Sequence, residues 1–241
     1  MYALEANQLF KSFHSENRTI DVLREITLRL PEGAFHAVMG PSGAGKSTLL
    51  NLLAGLIPPD AGTLSIAGES LIGRTDNELT LLRRRTIGII FQDFNLIPTL
   101  TVAENIALPA LLDGHPLPQG RLDKLLELVG LTHRANQLAE TLSGGEAQRT
   151  AIARAFAMEP RVILADEPTG NLDSPSASAF CETLTRLNKE LGTAILLISH
   201  DAQVASAADV IHVLRDGAIR GSFESEHNAS TVATRYLEFM A

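Results

Sequence analysis

The chain has 241 residues, 45% of them apolar, with a formal charge of −8 and a single cysteine. That length suits one large domain or two small ones, and the apolar share supplies a sizeable core. No apolar run approaches the roughly 20 residues that cross a bilayer, the acidic balance gives no general footprint for nucleic acid, and Cys181 has no partner for an internal disulfide, as suits a reducing compartment.

Residues 4–30 alternate in character and lead to the turn Pro31-Glu32-Gly33, which predicts an antiparallel β layer that residues 62–68 extend. The N-terminal stretch carries Glu5, Lys11 and Glu16 and no apolar run closed by a small-residue cleavage site. No secretory signal is therefore expected, and the expected compartment is cytoplasmic. Residues 34–39 form a short apolar run, followed by Gly40-Pro41-Ser42-Gly43-Ala44-Gly45-Lys46-Ser47-Thr48 and then by the apolar stretch 49–54. Strand, glycine loop and helix follow in that order. The pattern G-x-x-x-x-G-K-[ST] surrounds a polyphosphate with successive backbone N–H groups, and the helix N-terminus adds partial positive charge. Lys46 is long enough to reach the β- and γ-phosphates, and the Ser47 hydroxyl suits Mg²⁺. Nucleotide binding is the expectation.

Further strand-like runs at residues 87–91, 162–165 and 194–198 alternate with helix-like segments, which argues for an α/β fold with a mostly parallel sheet. Ligands of such sheets bind beyond the carboxyl ends of the strands, so Gly40, Gln92, Asp166 and His200 are expected to converge on one crevice. The local basic cluster Arg83-Arg84-Arg85 reads either as a solvated helix end or as a partner contact. From about residue 93 to 158 the strand signals stop and helix-like segments at 101–108, 121–129 and 146–158 replace them. This predicts a helical subdomain, 93–158, inserted into an α/β core of 1–92 and 159–241. Residues 210–214, Asp216-Gly217 and 218–221 read as a hairpin, and 231–240 as a closing helix.

Two stretches carry further chemistry. Residues 162–165 are a buried-strand pattern ending in Asp166-Glu167, whose side chains strand alternation points in different directions. Asp166 suits the metal, and Glu167 suits the orientation and deprotonation of an attacking water. Ser143 with Glu146 forms an S-x-x-E capping box at the start of a long helix. The cap does not explain Gly144-Gly145, which lower helix propensity and permit close backbone approach to a ligand. Two phosphate-seeking loops in one chain predict a dimer in which each loop serves a nucleotide held mainly by the partner.

On the phosphate loop, Leu142-Ser143-Gly144-Gly145 and the order of the remaining motifs, the chain resembles the ATP-binding subunit of an ABC transporter over essentially its whole length. Phe91-Gln92-Asp93-Phe94-Asn95-Leu96-Ile97-Pro98, Leu100-Thr101-Val102-Ala103-Glu104-Asn105 and Ala165-Asp166-Glu167-Pro168-Thr169-Gly170-Asn171-Leu172-Asp173 are similar to the macrolide-export and lipoprotein-release branch, which includes cell-division and haem-export ATPases. Glu146-Ala147-Gln148 departs from the more frequent glutamine-rich signature without touching Ser143-Gly144-Gly145.

The resemblance implies a P-loop ATPase with ATP and Mg²⁺ as its ligands. It gives Gln92 a contact to Mg²⁺ and to the attacking water, and the task of passing the state of the site to a membrane partner. Asn171-Leu172-Asp173 corresponds to the loop that crosses the dimer interface. His200 contacts the γ-phosphate and supports Glu167, although a lone histidine after a strand also reads as a structural residue. Phe13 falls where an aromatic ring, commonly tyrosine, stacks on adenine; phenylalanine keeps the π-face, and a core or edge role also suits it. The implied partners are a second copy of the chain in a nucleotide-sandwich dimer and an integral membrane permease on a separate chain, with room for a periplasmic or extracellular accessory protein and none for nucleic acid. Through the permease the subunit sits on the inner face of the membrane. Residues 94–100 read equally as part of the groove for that permease and as subdomain core. Two competing classes stand beside this one. A soluble ABC ATPase acting on DNA or ribosomes usually carries a coiled-coil insertion, zinc-binding cysteines or a second cassette, and a division-type signalling ATPase shares the chemistry and moves no substrate.

Overall fold

The computed structural model describes residues 1–15, 18–170 and 172–240. Its strands are β1 (Tyr2–Ser15), β2 (Arg18–Pro31), β3 (Phe35–Met39), β4 (Ala61–Ile66), β5 (Glu69–Ser70), β6 (Ile87–Ile90), β7 (Val162–Asp166), β8 (Ala194–Ser199), β9 (Val210–Arg215) and β10 (Ala218–Glu224). The helices are α1 (Lys46–Leu53), α2 (Asp76–Thr86), α3 (Val102–Leu112), α4 (Gln119–Leu128), α5 (Gly144–Ala155), α6 (Ser174–Leu191), α7 (Ala202–Ala205) and α8 (Ala229–Met240). A six-stranded sheet runs β10-β9-β3-β8-β7-β6, parallel except for the last hairpin, and a four-stranded antiparallel sheet runs β2-β1-β4-β5.

Strands β3 and β8 are buried along their whole length, which is why they read as unbroken apolar runs rather than alternating ones. Alternation instead divides their side chains between two cores. Phe35, Ala37, Met39, Ile195 and Leu197 join Ile163, Ile152, Phe156, Phe180 and Leu184 on the α5 and α6 side. Val38, Leu196, Ile198 and Leu164 join Leu49, Leu52 and Leu53 of α1 and Leu4, Leu23 and Leu64 of the antiparallel sheet on the other. The helix after the glycine loop is thereby clamped between the two sheets, which fixes the loop itself.

Helices α2, α3 and α5 each begin with a complete capping box, at Thr75/Glu78, Thr101/Glu104 and Ser143/Glu146. In the β9–β10 hairpin Asp216 and Gly217 both take positive φ, 50° and 74°, as a two-residue type I′ turn requires. The arginine cluster ends α2, where cations suit the helix C-terminus. Arg83 donates to Gly55 O (2.7 Å), Arg84 to Leu112 O (2.7 Å), and Arg85 pairs with Asp113 (3.2 Å), so the cluster ties α2 to the end of α1 and to the end of α3. Cys181 is half-buried on α6, and burial, ahead of Asp201 and Glu182, pushes its thiol up to about 12.

One buried polar pair bridges the strand that feeds the glycine loop. His36 Nδ1 of β3 lies 3.1 Å from His212 Nε2 of β9, and burial lowers the His36 pKa, with Asp209 opposing it. Burial, and then His36, hold His212 down at about 4 against an ordinary 6.5. Below pH 6.5 the unfolded chain takes up a proton that the folded chain refuses until about pH 4. Stability is therefore complete above pH 6.5 and is lost as the pH falls between these values, by about 3 kcal/mol in all. Urea unfolding of the wild type and His212→Phe at pH 7.5 and 4.5 checks this, since the variant is expected to lose distinctly less stability on acidification.

Candidate functional site

The carboxyl ends of β3, β7 and β8 bring together Gly40–Lys46, Asp166, Glu167 and His200. Two features of the glycine loop are dictated by its surroundings. A Cβ on Gly40 would stand 2.3 Å from Leu214 O, so only glycine lets the loop leave β3 against β9. Gly45 takes φ 101° as the N-cap of α1 and supplies no side chain to the first-turn amides, and no acidic residue occupies that turn. Those N–H groups and the helix dipole thus face whatever anion the loop encloses. Ser42, Gly43 and Ser47 are exposed, Pro41 and Thr48 partly so, and Ala44 is buried.

Lys46 lies across the loop. Its Nζ donates to Gly40 O (2.9 Å) and Pro41 O (3.2 Å) and stands 3.4 Å from Glu167 Oε1. Glu167 Oε2 is 2.5 Å from His200 Nδ1. The pairing of β7 with β8 sets Asp166 opposite Ile198, which brings residues 167 and 200 side by side at neighbouring strand ends. Strand β7 ends at Asp166, and Glu167 takes φ 43°. Its different bearing from Asp166 comes from this left-handed turn, an uncommon conformation for a residue with a Cβ, rather than from the pleat of the strand.

Asp166 is half-buried, and its Oδ1 has no hydrogen-bond partner among the described residues. Burial first, and Glu167 second, raise its pKa, with Lys46 opposing them. An orphaned buried carboxylate oxygen beside the first turn of α1 fits a hard divalent cation, for which oxygen ligands are preferred. Gln92 lies just beyond β6 and reaches the same neighbourhood: a Cβ on Gly170 would stand 2.8 Å from Gln92 Nε2 and 3.4 Å from Glu167 O.

The second anion loop is built separately. Ser143 caps α5, its hydroxyl donating to Glu146 Oε2 (2.7 Å), while Arg134 Nε holds Glu146 Oε1 (2.9 Å). The Ser143 N–H and hydroxyl, with Arg134 adding to them, push the Glu146 carboxyl down to about 2. The space around Gly144 is open, and a Cβ on Gly145 would meet only the tip of Arg149 at 3.5 Å, so packing within the chain does not demand this glycine pair. No hydrogen bond or ion pair joins Ser143, Gly144 or Gly145 to the glycine loop, Asp166, Glu167 or His200 among the described residues. Asp173 caps α6 by accepting from Ser176 N (3.0 Å); Asn171, beside it in the sequence, lies outside the described residues. Phe13 stands on β1 opposite Ile20 with 44% of its surface exposed.

Sequence reasoning missed several residues that hold these groups in place. Arg154 of α5 donates to Phe94 O (2.6 Å) and Asn95 O (2.5 Å), two residues at φ 56° and 50° directly after Gln92 and Asp93. Asn105 is fully buried and bonds Ile97 N, Ile97 O, Leu100 O and Thr101 O. Between them the segment 94–100 is fastened to α3 and α5 while Ile97, Pro98 and Thr99 stay exposed. Gln148, also buried, donates to Pro168 O (3.3 Å) and links α5 to the turn after Glu167. Only a buried-polar signal marks these positions, and it is not visible without the partners.

The family model for the ABC transporter matches residues 23–170. The chain is 43% identical over 224 residues to a lipoprotein-releasing system ATP-binding protein, LolD 1, of Rhodopirellula baltica, covering 91% of this chain and 98% of that protein. The dimeric structure of MJ0796, a bacterial ABC transporter cassette, superposes with a TM-score of 0.81 at 37% identity, covering 92% of this chain and 99% of the cassette. A dimeric post-hydrolysis state of the same cassette, bound to ADP and Pi, gives 0.81 at 36% with the same coverage. The chain therefore belongs to the ABC transporter family, as one of its ATP-binding, ATP-hydrolysing subunits.

Proposed function

We propose that two copies of the chain close around two Mg²⁺-ATP molecules and drive a separate membrane permease, in export or in lipoprotein release. The observation that carries the reading is Glu167 held at the end of β7 between Lys46 and His200, beside the phosphate loop. In it the backbone of Gly40 to Thr48 encloses the phosphates and Lys46 moves from Glu167 and the loop carbonyls onto the β- and γ-phosphates. Glu167 takes the proton of the attacking water, and His200 keeps its carboxylate turned toward the γ-phosphate. Asp166, Ser47 and Gln92 hold Mg²⁺, which neutralises charge on the β- and γ-phosphate oxygens when bound. Phe13 stacks on adenine. Ser143, Gly144 and Gly145 present their amides to the nucleotide bound by the partner copy, and Asp173 lies in the loop between copies.

The α/β core, 1–92 and 159–241, of one copy and the helical insertion, 93–158, of the other are then the two bodies that nucleotide draws together, since closure follows from the higher affinity of one state for ATP. Among the described residues no helix is long and apolar enough to cross a membrane. The exposed Ile97-Pro98-Thr99 edge, with its backbone fixed by Arg154 and Asn105, offers the permease a rigid seat, and through it the subunit stays on the inner membrane face. Affinity purification of the tagged chain from detergent-solubilised membranes tests this. A multi-spanning protein is expected to accompany it and to change its ATP turnover, whereas recovery with ribosomes or DNA alone would refute the transport reading.

A further inference from the structure

Ahead of Phe13, β1 departs from regular pairing, with register shifts between Leu9 and Lys11 and between Lys11 and Ser12. Such bulges re-aim side chains and leave backbone groups to be satisfied from outside the ladder. Asp60, just before β4, closes over this irregularity. Its N–H donates to Phe10 O (2.9 Å), its Oδ2 accepts from Ser12 N (2.6 Å) and Ser12 Oγ (2.9 Å), and its Oδ1 accepts from Lys11 Nζ (2.7 Å). The Lys11 side chain is only 12% exposed, and its ammonium stands 5.6 Å from the centroid of the Phe13 ring, within cation–π range. The bond from Lys11 first, and those from Ser12 with it, bring the Asp60 carboxyl down to about 2. An aspartate that grips the strand on both sides of a bulge, and fixes the cation lying against the next aromatic ring, does more than close a turn.

We infer that Asp60 is a positioning residue for nucleobase recognition: it sets the bulge and Lys11 so that the exposed Phe13 ring stands at a fixed height and angle for a purine base. The inference rests on the reading of Phe13 as the base platform. It predicts an effect confined to the base end of the nucleotide, because among the described residues none of Asp60's bonds touches the glycine loop, Asp166, Glu167 or His200.

The test measures KM and kcat for ATP and the inhibition constant of inorganic tripolyphosphate, which occupies the phosphate loop and has no base, for the wild type, Asp60→Ala and Phe13→Ala. Asp60→Ala is expected to raise KM for ATP about three- to tenfold with kcat within about twofold and the tripolyphosphate constant unchanged, the pattern of lost binding without lost transition-state contacts. Asp60→Asn, which retains an oxygen for Ser12 N and loses the charge that holds Lys11, is expected to raise KM at least about twofold, and serves if the alanine variant is not recovered folded. An unchanged KM in a folded Asp60 variant, or an equal rise for ATP and tripolyphosphate, overturns the inference. If Phe13→Ala raises KM and the Asp60 variants do not, the inference alone falls; if Phe13→Ala itself leaves KM unchanged, the platform reading beneath it falls first.

Discussion

Glu167→Gln is expected to lower steady-state ATP hydrolysis by about 10²–10⁴-fold, the usual contribution of a positioned general base, while ATP binding is kept. Glutamine has the size of glutamate and tolerates the φ of 43° at this position no worse, so the turn after β7 survives. What is lost is the basic oxygen beside His200 Nδ1 and the negative charge 3.4 Å from Lys46. The second loss is expected to favour binding, because on the proposed reading the triphosphate competes with Glu167 for the same ammonium. The variant is thus expected to hold ATP at least as tightly and to turn it over hardly at all, as read by phosphate release and by equilibrium titration with ATP. Turnover within about threefold of the wild type would remove Glu167 from the role of base.

Ser143→Arg acts at the other anion loop and separates the two halves of the proposed site. The substitution removes the cap on α5, costing about 0.5–2 kcal/mol, and fills the open space in front of Gly144 with a long cation. Since among the described residues no hydrogen bond or ion pair joins Ser143, Gly144 or Gly145 to Lys46 or Glu167, ATP affinity of the single subunit is expected to stay within about twofold of the wild type. Hydrolysis is expected to fall by about 10²-fold or more, the scale set by losing preorganised donors at the reacting phosphate. Ser143→Ala gives the comparison: it loses the hydroxyl and leaves the space open, so its fall is smaller. Matching losses of subunit ATP affinity and of hydrolysis in Ser143→Arg would contradict a role in trans.

The central sheet and its loop were legible because burial on both faces of β3 and β8 forces unbroken apolar runs, and because the spacing of Gly40, Gly45, Lys46 and Ser47 has few other uses. Helix α2 was legible only at its arginine end. Among its residues Leu82 alone is buried, so apolar periodicity is weak, and the Thr75-x-x-Glu78 cap was the one other available signal. Backbone conformation was not legible where it departs from the side chain's habit: nothing in Glu167 or Phe94 announces positive φ. Arg154 and Asn105 escaped for another reason. Their partners are backbone N–H and carbonyl groups, which nearly every residue has, and in the case of Arg154 they lie about 60 positions away in the chain. Asp60 likewise reads as a turn residue beside Pro58-Pro59 until the bulge in β1 is seen beneath it.

The direct measurement is the solution mass of Glu167→Gln by light scattering, with Mg²⁺ and either ATP or ADP. If closure around nucleotide stores the work, ATP doubles the mass, ADP does not, and adding Ser143→Arg to the same chain abolishes the doubling. A mass that stays at one chain under saturating ATP, with binding shown in the same sample, would contradict it.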